Sequence, residues 1–420
     1  MRPFPVRDSA ARQQPQQRYA MPRVNPDILR WARQTAGLEP EEAARKIQLR
    51  DSRKGTAVDR LAALEEGEEL PTRAMLHRMS KAYRRPLVAF YLADVPPKGD
   101  RGQDFRTLPV PPEPEDEAHL DALLRQIKAR QRLVRAAMED EDEDEPLAFV
   151  GSKRMSQGET SVAEAIRGEL QLSIDEFRAA PNADEAFDYV REKAEAAGIF
   201  VLLMGDLGSY HTALDPVVFR GSALADPVAP FIVINDRDSH AAWTFTLLHE
   251  LAHLWIGQTG VSGGVPEAGV ERFCNDVASA LLVDSSEIDA FPALEPLTLE
   301  ARHHLIASYA DTWNVSRSLI AYRLYRGGRI PREEWQRLQR DFRESWEQHR
   351  AVTRSNRRRR EGGPDYYVIR RHRLGTSLVQ LTGRMVASGT LTTTKAARIL
   401  GVRPANVARL VDPTVVSAGR

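Results

Sequence analysis

Near the middle of the chain, His249, Glu250 and His253 interrupt a run that is otherwise apolar, AAWTFTLLHELAHLWIG. The run predicts a helix that starts after a cap at Asp238 or Ser239 and is ended by Gly257. Leu247, Leu248, Leu251, Leu254 and Trp255 surround the polar residues, so this helix is expected to be buried. Two imidazoles and a carboxylate are costly in such a place unless they are paired or coordinated. Histidines at i and i+4 share one helical face, about one turn apart, and both rings can reach a single tetrahedral Zn²⁺. Glu250 sits beside the first of them. A carboxylate there can act as general base, taking a proton from a water made acidic by the metal as that water attacks a peptide carbonyl.

A catalytic zinc takes three protein ligands and keeps an open position. The third ligand has to come from downstream, where Glu267, Glu271, Asp276 and Asp284 are the candidates. Glu271 is preferred because Asn275 lies one turn later on the same helical face, where an amide can orient a ligand histidine. Cys274 is a soft-ligand candidate, but a lone small thiol in an apolar helix reads first as a core residue. It is also the only cysteine in the chain, so an internal disulfide is impossible and a reducing, cytoplasmic setting is expected.

Around this helix the 420 residues read as two or three domains. Residues 1–24, rich in Arg, Gln and Pro and without an apolar signal core, are expected to be a disordered tail. Residues 25–97 predict five short helices, a helix-turn-helix bundle. Residues 98–159 read as a helical and acidic linker: a polar helix over 114–138, then the run EDEDEDE at Glu139–Glu145. Residues 160–349 open with helices and continue into three short strands, GIFVLLMG, PVVFRG and PFIVIND. Next come the motif helix, the loop GQTGVSGGVPEAG, the helix VERFCNDVASALLV, and two packing helices around a turn at Asn314-Val315. This order gives an α+β arrangement. No stretch approaches a membrane span. Phe231, Ile232, Val233, Ile234 and Asn235 are expected to form the sheet edge on which a substrate segment pairs through its backbone. For the group that stabilises the oxyanion, Tyr210, His211, His303, His304 and Tyr309 are equal guesses.

A basic linker over 350–365 leads to a small helical, helix-turn-helix-like domain over 366–420. From Arg350 to Arg420 there are 15 Arg and Lys against 3 Asp and Glu, and from Met1 to Arg60 13 against 7, so the middle of this neutral chain is acidic. Basic ends point to a polyanion. The C-terminal block offers Arg357, Arg358, Arg359, Arg360, Lys395, Arg398, Arg403, Asn406 and Arg409 to phosphates and bases of DNA. The N-terminal block offers only Asp59 and Arg60 on a recognition helix, VDRLAALEEGEE, that then turns acidic. Tight DNA reading by that block is not expected.

HELAH followed by ERFCNDVASALLV resembles the ImmA/IrrE metallopeptidases, which carry H-E-x-x-H and a later E-x-x-A-N-x-F-A-A-x-L-L-like helix. Cys274 and Val277 replace the usual Ala and Phe, and Asp284 stands where Pro is common. FIVINDRDSHAAWTFTLLHE resembles the family's strand and its entry into the active helix. LRWARQTAGL, LAALEEGEELPT, AYRRPLVAFYL and DFRTLP are similar to the XRE-type helix-turn-helix often fused to these proteases. The resemblance covers Asn25 to Gln348 and, more loosely, the C-terminal block. It implies a zincin-like domain with His249, His253 and Glu271 on zinc and Asn275 orienting a ligand. The implied activity is limited cleavage of a protein partner, a transcriptional repressor, in a stress or mobile-element response. The rival reading is a DNA-binding regulator whose protease-like domain senses or scaffolds without cutting.

Overall fold

The structure is a computed structural model that describes residues 24–53, 55–96, 103–104, 112–262, 269–357 and 365–412. The expected N-terminal tail, Glu267 and Arg358, Arg359 and Arg360 lie outside the described residues. The chain divides into two compact units, Met1–Pro97 and Lys98–Arg420.

In the first unit four helices, α1 (Pro26–Gln34), α2 (Pro40–Lys46), α3 (Ala57–Glu65) and α4 (Arg73–Ala82), precede a 3₁₀ turn at Leu87–Tyr91. Pro26 and Pro40 stand where a helix has no use for an N–H, and Asn25, Thr56 and Thr72 cap α1, α3 and α4 through their side chains. Ile28, Leu29, Leu61, Leu64, Leu76, Met79 and Phe90 close one core. Into it Arg33 reaches Glu65 through two hydrogen bonds, at 2.7 and 3.0 Å. The two side chains expected to face bases are otherwise engaged. Asp59 closes a capping box with Thr56, and Arg60 donates to the Arg50 carbonyl at 2.9 Å.

The second unit is built on a five-stranded sheet: β1 (Gln103–Asp104), β2 (Phe200–Leu203), β3 (Gly221–Leu224), β4 (Phe231–Ile234) and β5 (Gly260–Ser262), in the order β1-β5-β3-β4-β2. β3 runs antiparallel to both β4 and β5, and β2–β4 and β1–β5 are parallel pairs. Alternate side chains enter two different cores. Val201, Leu203, Ala223, Ile232 and Ile234 join one, and Phe200, Leu202, Leu224, Phe231 and Val233 join the other. A sheet covered on both faces reads as unbroken apolar runs, which is how these strands look in sequence.

The first face carries α6 (Glu159–Leu170), α7 (Ile174–Ala179), α8 (Ala183–Ala196), α9 (His240–Trp255) and α10 (Gly269–Leu282). The same core includes residues of α11 (Ser285–Asp289), α12 (Leu299–Thr312), α13 (Arg317–Arg326) and α14 (Arg332–Arg357). The second face corrects the expected linker and separate C-terminal domain. α5 (Pro114–Glu139) lays Leu120, Leu123, Leu124, Ile127 and Val134 on the sheet, one stripe at helical spacing amid charged residues. Beside it pack α15 (Tyr366–Leu374), α16 (Thr376–Ser388), α17 (Thr393–Leu400) and α18 (Val407–Val411), through Leu374, Leu378, Met385, Leu400 and Leu410. Arg384 pairs with Glu143 of the acidic run. At the β2 edge, Arg191 donates to the Val201 and His372 carbonyls at 2.6 Å each. Glu195 accepts from the Thr376 and Ser377 amides at the start of α16.

Three strand expectations need correction. PVVFRG is a turn, because Asp215 accepts the Val217 amide on its carboxylate and the Val218 and Phe219 amides on its carbonyl. The strand begins only at Gly221. Part of the glycine-rich loop forms β5. Phe231–Ile234 is not an edge, since it is paired with β2 on one side and β3 on the other, and Asn235 is buried with its amide donating to the Leu214 and Phe219 carbonyls. A strand filled on both sides cannot accept a substrate backbone. Among the described residues no helix is long and apolar enough to cross a membrane.

Candidate metal centre

The motif helix α9 is buried from Thr246 through Trp255. Packed beside it, α10 brings Glu271 from its first turn and Asn275 from the next. His253 Nε2 lies 3.1 Å from His249 Nε2 and 3.0 Å from Glu271 Oε1, and His249 Nε2 lies 3.4 Å from Glu271 Oε2. A tetrahedron with metal–ligand bonds of about 2.05 Å has edges of about 3.3 Å. The two imidazole nitrogens and the Glu271 carboxylate therefore lie at the spacing of a tetrahedron's edges, each nitrogen facing one carboxylate oxygen, and a metal ion fits them. These three residues are the His, Cys, Asp and Glu cluster with metal-ligand proximity among the described residues. His249 Nδ1 meets Asn275 Oδ1 at 3.0 Å; with the proton on Nδ1, the lone pair of Nε2 faces the other donors.

Each titratable group answers to the same burial. Burial works against the Glu271 carboxylate, but His249 and His253, by charge and hydrogen bond, hold its pKa down at about 2. Burial also depresses His249, yet Glu271 outweighs it and leaves that ring raised, whereas burial prevails at His253 and lowers it. Glu250 is fully enclosed, and neither of its oxygens meets hydrogen-bond geometry with a neighbour, the Ser262 hydroxyl lying near but outside it. Burial pushes it up to about 8, against the charge of His249 and with that of Glu271, while the Ser262 hydroxyl tempers the rise. A buried carboxylate left unpartnered marks a group kept for chemistry rather than for folding. β3 passes directly over it: a Cβ at Gly221 would collide with Glu250 Oε1 and stand 2.8 Å from Thr246 Cγ2.

The other ligand candidates have other work. Asp276 accepts from Tyr322 Oη at 2.7 Å and from Arg326 Nε and Nη2 at 2.7 and 2.6 Å. Asp284 caps α11. Cys274 is a core residue whose thiol burial pushes up, as do the charges of Glu271 and Glu250. The oxyanion guesses fare alike: Tyr210 is exposed against His211, His303 pairs with Asp341, His304 lies by Glu300, and Tyr309 is wedged between Phe291 and Trp313. Ser262 and the Asp276–Arg326–Tyr322 clamp were not anticipated. Ser262 hides in a glycine-rich stretch, and the clamp joins residues fifty apart in sequence.

Of the proposed DNA contacts, Lys395, Arg398 and Arg403 are exposed along α17 and the turn after it, and Asn406 is half-buried. Arg409 is exposed but lies over the Tyr367 ring at 4.3 Å and 3.7 Å from Asp365. Arg357 closes α14. Much of the remaining C-terminal positive charge is spent inside the unit: Arg370 and Arg371 donate to helix-end carbonyls, and Arg373 pairs with Asp206 and Asp236.

A sheet-backed helix presenting two histidines, an adjacent helix presenting a glutamate, and a second glutamate held against them define a metallopeptidase-like domain. The model of the IrrE N-terminal-like domain, the peptidase M78 family, matches residues 194–325, from the end of α8 to near the end of α13. That span includes β2 to β5 and every residue of the centre. Neither a curated protein nor a solved structure matches the chain.

Proposed function

We propose that this chain is a zinc-dependent endopeptidase that makes a limited, site-specific cut in a protein partner, a transcriptional repressor, within a stress or mobile-element response. The observation that carries the peptidase reading is the triangle of His249, His253 and Glu271 donor atoms with the unpartnered Glu250 beside it. Zinc, when bound there, supplies Lewis acidity, polarising a peptide carbonyl and making a nearby water more acidic. Glu250 takes the proton of the attacking water on a carboxylate oxygen and hands it to the leaving amine nitrogen. Burial raises its basicity, so that it can take that proton and give it back. Asn275 fixes the tautomer of His249, and the enclosing walls of α9, α10 and β3 exclude bulk water.

One observation favours a second reading. His249, Glu250, His253 and Glu271 are each no more than 7% exposed. A centre so enclosed also suits a regulator in which the metal holds the fold and the exposed Lys395, Arg398 and Arg403 meet DNA. Co-incubation of the purified protein with repressors encoded near its gene, with and without DNA, separates the two. Mass spectrometry then looks for a new terminus that Glu250→Gln fails to generate. A repressor left uncut by zinc-loaded wild type under every condition supports the regulator.

A further inference from the structure

The second core contains a positive charge without a counter-charge. Arg130 lies on the buried stripe of α5 and is 4% exposed. Its Nη1 meets only the Met204 sulfur, at 3.3 Å, and its Nε has no partner. Among the described residues no carboxylate pairs with it. The acids of this region, Asp206 and Asp236, are taken by Arg373 at 3.4 and 2.5 Å. A second guanidinium comes to the same place from another element. Arg370 of α15 donates to the Leu400 carbonyl through Nε at 3.2 Å and Nη2 at 2.7 Å, and to the Gly401 carbonyl at 3.2 Å. The two tips converge on Gly401, where the chain turns at φ +62° after α17. A Cβ there would overlap Arg370 Nη2 and stand 3.0 Å from Arg130 Nη2.

Burial and the neighbouring charge of Arg370 both act against the Arg130 cation, whose pKa falls to about 9. The helix-end carbonyls offset Arg370, which donates to them, but not Arg130. A side chain needed only for packing would be apolar, because an isolated buried cation is more costly than a methionine of similar volume. Arg370 gives Nε and Nη2 to the Leu400 and Gly401 carbonyls, which leaves its Nη1, and on Arg130 Nε and Nη2, without a hydrogen-bond partner among the described residues. Donors from two helices, meeting where a glycine leaves out its side chain, form a cradle for an anion. A planar carboxylate meets one fork edge-on, whereas a tetrahedral oxyanion also carries oxygens out of that plane for the donor of the second helix.

We propose that Arg130 and Arg370, meeting at Gly401, bind a tetrahedral oxyanion of the phosphate type. The bound anion ties α5 to the C-terminal helices and is independent of the metal centre and its chemistry.

The test is calorimetric titration of the full-length protein with inorganic phosphate in chloride buffer at fixed ionic strength, repeated with adenosine monophosphate and with acetate. Wild type is expected to bind one phosphate per chain, saturably. Arg130→Met and Gly401→Asn, the latter keeping a residue that tolerates the left-handed turn while filling the cradle, are each expected to weaken binding at least about tenfold. In chloride alone Arg130→Met should melt no lower than wild type. If adenosine monophosphate binds more tightly than phosphate, the anion is borne by a nucleotide; if not, it is the free ion. The proposal is overturned by absence of saturable phosphate binding in wild type, by undiminished binding in Gly401→Asn, or by acetate binding as well as phosphate.

Discussion

Glu250 stands beside three groups placed to hold a metal and is not itself one of them, and this separates what its substitution does from what loss of one of those groups does. His253→Ala leaves two of three donors and should drop zinc from about one per chain to a small fraction, read by elemental analysis of the purified protein. Glu250→Gln keeps size and polarity and should retain zinc while peptide cleavage falls by at least about a hundredfold. The same residue sets a pH signature in protein stripped of metal. Its carboxyl is raised from an ordinary 4.5 to about 8 in the folded chain. The folded state therefore holds a proton that the unfolded state has lost, and stability falls as pH rises from 4.5 through 8. Glu250→Gln removes that loss. In chelator its melting temperature should match wild type near pH 4 and exceed it increasingly up to pH 8. Glu271, held down near 2, contributes stability above its ordinary value in both proteins and cancels from the comparison. A difference that stays flat with pH would mean that Glu250 ionises freely in the folded chain.

Placing the third ligand is the task of an element. Glu271 and Asn275 ride on α10, and the next residue, Asp276, is anchored to α13 by Arg326 and Tyr322. Breaking a buried pair by removing one partner costs about 3 kcal/mol, somewhat less here because Arg326 is partly exposed. Asp276→Asn should therefore lower the denaturation midpoint and, by freeing α10, weaken zinc binding, measured by competition with a chelator. Unchanged zinc affinity in a destabilised variant would make the clamp purely structural. None of this clamp was legible from sequence, because an ion pair across fifty residues leaves no local periodicity. The motif itself was legible, since i and i+4 spacing on a helix fixes a shared face whatever surrounds it, and Glu271 with Asn275 follows the same rule. β1 and β5 escaped notice because two or three residues in glycine-rich surroundings show no alternation. α5 was read as polar because its apolar stripe is diluted by the charges on its other faces.

At the scale of the whole molecule, the three layers of the second unit decide which truncations carry information. α15 to α18 supply more than a third of the core on the second face of the sheet, so deleting residues 350–420 would expose Phe200, Leu202 and Phe231 and unfold the unit rather than report on DNA. Point changes are the usable probe. Lys395, Arg398 and Arg403 are exposed and make no ion pair among the described residues. Arg370, Arg371, Arg373 and Arg384 are tied into the fold and should contribute little to binding. Binding that neutralises phosphates loses affinity with salt at a slope of about −0.9 per contact on a logarithmic plot. Changing Lys395, Arg398 and Arg403 together to Gln should flatten the slope by up to about 2.7 and weaken binding most at low salt. A fragment spanning residues 98–420, one compact unit, should keep its zinc and retain that DNA affinity. The first unit by itself should bind weakly, because Asp59 and Arg60 are held inside the fold that would have to present them. Gel-shift titrations of both fragments and the triple variant at two salt concentrations give the answer. An unchanged slope in the triple variant would remove DNA from the role of the C-terminal helices and leave their exposed cations for a protein partner.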